Sequence, residues 1–288
     1  MKWAVVASWL SLVALIQSLA AAEAFGPLSP PPHRIAGNLY NVGSKGHNSF
    51  LITTAAGHFL IDSGFDPKLL DRGDEQVGPK EIQEHIVALG FEPRDIKFLL
   101  CTHSHMDHVG GHAEMRRATG AQVMVMAGDD ASVRAGEAGA DSTWTPSPVD
   151  RVLQDGDELT LGGTSLRAHR TPGHTKGATT WTFQVVEDGR KRDVVLLDSA
   201  WFWFESDAEY PDRGSDYLRT LQLVKALPCD ILLDPHGYYY QRMRVPASAG
   251  EAQESSNPFV DAQGCSRFIA DKQAELLEHL RKERSAPE

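Results

Sequence analysis

Short apolar runs recur along the first third of the chain, separated by Gly, Asn and Lys. LYNVGS, NSFLITT and HFLID read as strands on this pattern. PKEIQEHIVALG carries Ile82, His85, Ile86 and Leu89 at helical spacing, and Gly90 ends it. IKFLLCT then reads as a strand, GGHAEMRRATG as a helix with a glycine stop, and AQVMVMA as another strand. An irregular loop, AGEAGADSTWTPSPVD, leads to DELTLGGTSLRAHRT, a hairpin turning at Gly162-Gly163. GATTWTFQVV, RDVVLLDS and CDILLDPH are strands, SDYLRTLQLVKAL is helical, and SRFIADKQAELLEHLRKER is a long amphipathic helix. Strands and helices therefore come in two successive batches, each closing on a histidine-bearing loop. Strands this apolar need cover on both faces, which two face-to-face sheets with helices outside provide.

The N-terminus differs in kind. Met1 and Lys2 precede an apolar run that ends in small residues and the triplet Ala22-Glu23-Ala24. That is the pattern of a secretory signal peptide over residues 1–24, leaving one domain over 25–288 that starts at Phe25. An uncleaved membrane anchor is the alternative; no other stretch of the chain is apolar enough to span a bilayer. The expectation is an exported protein, periplasmic or secreted, with no membrane contact after cleavage. A formal net charge of -11 and the lack of a Lys/Arg cluster argue against a nucleic-acid partner. Three cysteines fit an oxidising compartment. Cys101 lies in an apolar strand, while Cys229 and Cys265 either pair or remain free thiols.

Candidate chemistry concentrates in HSHMDH, residues 103–108, at the end of a strand and before Gly110-Gly111. Strand ends hold side chains rigidly, as a metal site requires. His174 in TPGHTKG and His236 in ILLDPHG also follow strands. Imidazole is a common zinc ligand, and five His with one Asp suffice for two adjacent ions. The other histidines read as non-ligands: His33 in the Pro-rich lead-in, His85, His112 and His279 on helices, His47 and His58 at strand starts. His169 reads as packing or support.

These residues resemble the metallo-β-lactamase superfamily. THSHMDHVGG is similar to its H-x-H-x-D-H signature, TPGHTKG to its next histidine loop, and DPHG to its last. The resemblance implies an α/β fold, an αββα sandwich of two mixed sheets with helices on the outer faces and a dinuclear zinc site at one edge. Finer features resemble subclass B3, whose ligands are His and Asp only. LLDSAWF has Ser199 where other subclasses carry a ligand cysteine. LQLVKALPCDILLDPHG is also B3-like and implies a Cys229–Cys265 disulfide. By this resemblance His103, His105 and His174 hold the first Zn2+, and Asp107, His108 and His236 hold the second. Ser199 binds substrate, and catalytic Asp107 orients the zinc-bound hydroxide and takes its proton. The resemblance departs at Trp201, where B3 enzymes often have a second serine, and at the bulky GYYYQ after His236.

The implied activity is hydrolysis of β-lactams, a small-molecule partner, by a monomer. Trp144, the large aromatic of the irregular loop, is a candidate to cover the substrate. Two alternatives stand beside this. Lactonases and glyoxalase II-like thioesterases share the fold and carry a metal-bridging Asp near position 198. Asp198 and Ser199 point to opposite sides of a strand end, and the B3-like surroundings favour Ser199 facing the metals. A non-catalytic zinc-binding export protein would need a closed coordination sphere.

Overall fold

The structure is a computed structural model that describes residues 32–70, 76–138, 143–199, 210–238 and 257–285. The expected signal peptide, Trp201 and most of GYYYQ lie outside them. The first batch of elements is β1 (His33–Ala36), β2 (Leu39–Asn41), β3 (Phe50–Thr54), β4 (Gly57–Ile61), α1 (Pro79–Ala88), β5 (Ile96–Leu100), α2 (Met106–Val109), α3 (His112–Thr119), β6 (Gln122–Met126), α4 (Asp130–Ala135) and β7 (Arg151–Leu153). The second is β8 (Glu158–Leu161), β9 (Thr164–Arg170), β10 (Thr179–Glu187), β11 (Arg190–Leu196), α5 (Arg213–Lys225), β12 (Ile231–Leu233) and α6 (Ala262–Ser285).

The strands form a seven-stranded sheet in the order β1 to β7 and a five-stranded sheet in the order β12-β11-β10-β9-β8. Both are mixed. β1 to β4 pair antiparallel and β4 to β7 parallel; in the second sheet only β11 and β12 are parallel.

Side-chain alternation builds the layers. Phe50, Ile52, Leu100, Met124 and Met126 face Trp181, Phe183, Val194 and Leu196 across the central core. Their neighbours Leu51, Leu99, Val123 and Val125 point the other way, onto Ile82 and Ile86 of α1, Met115 of α3 and Val133 of α4. On the far side Val195 and Leu232 meet Tyr217, Leu221 and Val224 of α5 and Ile269 and Leu276 of α6. A period of two with both faces apolar thus places helices outside both sheets, the αββα sandwich.

Several details of the sequence reading change, among them the unexpected short elements α2 and β7. His33–Ala36, expected in the lead-in, forms edge strand β1, because its backbone pairs with β2 and Ile35 O accepts from Asn257 Nδ2 at 2.8 Å. DASVRA makes the short helix α4, too brief for periodicity to reveal. The Gly162-Gly163 hairpin forms as expected, with φ of 55° and 87°; both positive values suit glycine in a type I′ turn.

Cys229 and Cys265 form a disulfide that ties the segment before β12 to α6. It spans 36 residues, so in the chain-entropy account it stabilises by about 2–4 kcal/mol. The Cys229→Ser/Cys265→Ser double variant is expected to lose that amount, read as a lower urea midpoint with unchanged far-UV circular dichroism.

Candidate metal centre

Parallel strands carry successive loops to one edge of the sandwich. β4 and β5 deliver Asp62 and residues 102–108, while β11 and β12 deliver 197–199 and 234–236. The β9–β10 loop brings His174, and Thr179 N donates to Thr102 O at 2.7 Å, joining the two sheets beside the histidines. Gly110 and Gly111 let the chain after HSHMDH lie against the backbone at 63–66. A Cβ on Gly111 would stand 2.3 Å from Ser63 O, and one on Gly110 would stand 2.5 Å from Asp66 N.

Five histidines of the sequence reading converge here in two overlapping groups, and Asp107 lies beside the second. His103, His105 and His174 offer ligand atoms within 4.8 Å of one another, and so do His103, His108 and His236. Asp107 Oδ2 lies 3.0 Å from His108 Nε2 and 3.8 Å from His236 Nε2, and those two nitrogens are 3.3 Å apart. Donors about 2.1 Å from a tetrahedral ion stand about 3.4 Å from each other, so this triangle has the size of a zinc-type ligand face.

The electrostatics suit cations. Burial holds the His103 and His174 pKa values well below the usual imidazole range, and neighbouring imidazoles add to it; His105 falls to about 4, mainly through burial. Neutral rings keep the lone pair that a metal needs. His103 Nδ1 faces Asp198 O at 3.2 Å, while its Nε2 is buried with no hydrogen-bond partner. A buried polar atom of that kind calls for a missing partner. Burial alone would raise the Asp107 carboxyl, but His108 beside it outweighs that and keeps it well below the usual range. Burial opposes a charge on His108 too, yet Asp107 and Asp62 lift its pKa to about 10. The pocket draws positive charge to this point.

Carboxylates at the ends of apolar strands support the histidines. Asp62, in the left-handed region at φ 64°, accepts Thr102 N and Thr102 Oγ1 at 2.8 Å each and faces His108 Nδ1 at 2.9 Å. That contact turns His108 Nε2 toward Asp107. Asp234 accepts His236 N at 2.7 Å. Asp129 accepts Ser104 N, Thr175 Oγ1 and Gly177 N at 2.7–2.8 Å, pinning the loops of His103 and His174 together. Sequence reasoning missed these residues. A signal was present for two of them: HFLID and ILLD each end an apolar strand in Asp, as VVLLD does at Asp198. Asp129 lies in a loop with no such mark.

Ser199 and Asp198 diverge at the strand end. Ser199 Oγ stands 3.4 Å from His236 Nδ1, whereas Asp198 Oδ1 accepts from Thr171 and Thr180 at 3.2 and 3.4 Å. Burial pushes Asp198 up to about 8, with Thr171 opposing and Asp234 adding. His169, expected as packing or support, contacts Thr182 Oγ1 at 2.7 Å, away from the cluster. His47, read as a strand-start residue, instead brings Nε2 to 3.3 Å from Asp107 Oδ2.

The sequence profile of the metallo-beta-lactamase superfamily matches residues 42–186, just over half of the chain. The chain belongs to this superfamily. It is thus a metallo-hydrolase of a dinuclear metal-binding family. Among solved metallo-beta-lactamases it is similar to native FEZ-1 from Legionella gormanii, with 34% identity and a TM-score of 0.76 over 90% of this chain and 99% of that one. It is similar also to BJP-1, a subclass B3 enzyme of Bradyrhizobium japonicum, with 30% identity and a TM-score of 0.73 over 90% and 97%. A hydroxyacylglutathione hydrolase of Anaeromyxobacter dehalogenans is 37% identical over 120 residues, 42% of this chain and 39% of that enzyme. The match spans less than half the length of such curated relatives.

The expectation for Trp144 requires correction. It is 6% exposed and packs with Val133 and Val149 in the layer between the first sheet and its helices. Its backbone N–H donates to Gly136 O, and the next residue's donates to Asp66, so the segment is fixed with the ring inward. Trp144→Ala is therefore expected to cost about 3–5 kcal/mol of stability in chemical denaturation. Its KM should match the parent enzyme; a raised KM would return the ring to the substrate.

Proposed function

We propose that the chain is an exported, zinc-dependent hydrolase that opens the β-lactam ring. In this reading His103, His105 and His174 hold one Zn2+, and Asp107, His108 and His236 hold a second. The observation that carries it is the divergence at the end of β11. Ser199 reaches His236 while the Asp198 carboxyl is engaged by two threonines, an arrangement that suits the B3-like site better than one needing a bridging Asp. Similarity to B3 enzymes over 90% of the chain supports it further.

When bound, the ions supply Lewis acidity toward the carbonyl and lower the pKa of water to near neutrality. The protein's part is to position and to move a proton. Asp107, ionised and held beside His108, is the base that takes the proton of the attacking water. The Ser199 hydroxyl donates to the substrate carboxylate, fixing the ring against the histidines. The neutral His103, His105 and His174 keep their geometry without competing for that proton. Export rests on residues 1–24, and N-terminal sequencing of the mature protein should begin at Phe25.

Thioester hydrolysis is the second reading, favoured by the hydroxyacylglutathione hydrolase relatives. Steady-state kinetics on a carbapenem, a cephalosporin and a hydroxyacylglutathione thioester separates the two. Turnover of the lactams, abolished by a chelator and restored by Zn2+, is expected; turnover of the thioester alone would replace the reading. The strand-end pair offers an independent check. Ser199→Ala should raise KM for β-lactams about tenfold with two metals retained, in keeping with loss of one charge-assisted hydrogen bond. Loss of metal in Asp198→Ala, with Ser199→Ala near normal, would instead indicate a bridging carboxylate.

A further inference from the structure

His47 is held at the metal centre by contacts on several sides. Its backbone bridges to His236, and Gly237 N donates to Gly46 O at 2.6 Å. Asn48 continues the seam, its backbone N–H donating to Pro235 O at 2.7 Å and its side-chain amide to Asp234 O at 2.9 Å. Phe65 meets the imidazole edge-on at 4.9 Å, and the rings of His108 and His236 each stand 6.1 Å away. Nε2 then points at Asp107 Oδ2 across 3.3 Å. A strand-start histidine with a surface role would need none of this seam.

We propose that His47 is a positioning residue of the second metal subsite, donating its Nε2–H to Asp107 and fixing the carboxylate in the orientation that faces His108 and His236. The proposal rests on the dinuclear reading above and adds to it a residue outside the six-ligand set. The physical argument is one of entropy and orientation. Asp107 is the second residue of a single-turn helix, α2, too short to hold that side chain rigidly by itself. A carboxylate that must bind an ion and accept a proton gains from a second partner that fixes its rotamer. His47 approaches from the β2–β3 loop and meets Asp107 Oδ2, the oxygen that also faces His108 and His236, so two separate segments fix its direction.

Stepwise metal binding tests this without reference to turnover. Apoprotein is titrated with Zn2+ in competition with a chromophoric chelator, and the Asp107→Asn variant identifies which step belongs to the second subsite. His47→Ala is expected to weaken that step about 10–100-fold, the usual cost of losing a group that orients a ligand, and to leave the other step unchanged. His47→Gln keeps an N–H donor and should recover most of the loss. Two parent-like steps in His47→Ala would overturn the proposal. So would a Gln variant no better than Ala, or equal weakening of both steps with altered circular dichroism. A parent protein that binds fewer than two ions overturns the dinuclear reading and this inference with it.

Discussion

The three hydrogen bonds accepted by the buried Asp129 carboxylate join the HSHMDH loop, which follows a strand of the first sheet, to the His174 loop, which connects two strands of the second. Burial raises its pKa, and its partners, Thr175 first, offset only part of that cost. A buried carboxylate that accepts several donors cannot release one cheaply. The two loops therefore hold one spacing, and the histidines they carry come to a common point. The tie reinforces the Thr179–Thr102 bond, which also joins the two sheets beside the histidines.

The same logic repeats at Asp62 and Asp234. Each ends an apolar strand and each is buried; Asp62 turns its oxygens to a neighbouring loop, at Thr102 and His108, and Asp234 accepts the backbone N–H of His236 in its own loop. The arrangement concentrates negative charge behind a cluster of imidazoles, of which His103, His105 and His174 are held neutral. Such a field favours a cation at the front of the cluster, and the pull on His108 reports its strength. Support of histidines by carboxylates behind them is how metal sites fix tautomer and ring orientation. Trp181, from the central core, donates Nε1–H to Cys101 O at 2.9 Å and so holds the end of β5 from which HSHMDH follows.

Much of this was legible in the residues. The two batches of strands and helices, the hairpin at Gly162-Gly163, and the concentration of histidines after apolar strands all follow from local pattern. The histidines of HSHMDH, TPGHTKG and DPHG stood out because strand ends advertise their position: an apolar run stops and a polar cluster starts. Trp144 was misleading for the same reason. An aromatic amid Gly, Ala, Ser and Pro resembles a loop tip, yet its ring found the layer under α4. Strand β1 was hidden because four residues show little period, and its stability comes from partners at β2 and Asn257.

Sequence alone determined the order of the longer elements, the layered architecture and the residue types able to hold a metal, because those depend on period, polarity and intrinsic donor chemistry. Tertiary structure decided which of the twelve histidines meet. His112 and His47 look alike as histidines beside glycine, but one turns inward to Ser63 at 2.7 Å and the other faces Asp107 at 3.3 Å. It also decided that Ser199 and not the Asp198 carboxyl turns to His236. The physical reason is distance along the chain. Residues such as 47, 107 and 236 are brought together only by strand pairing and loop seams, and no local preference of any one of them records where the others will be.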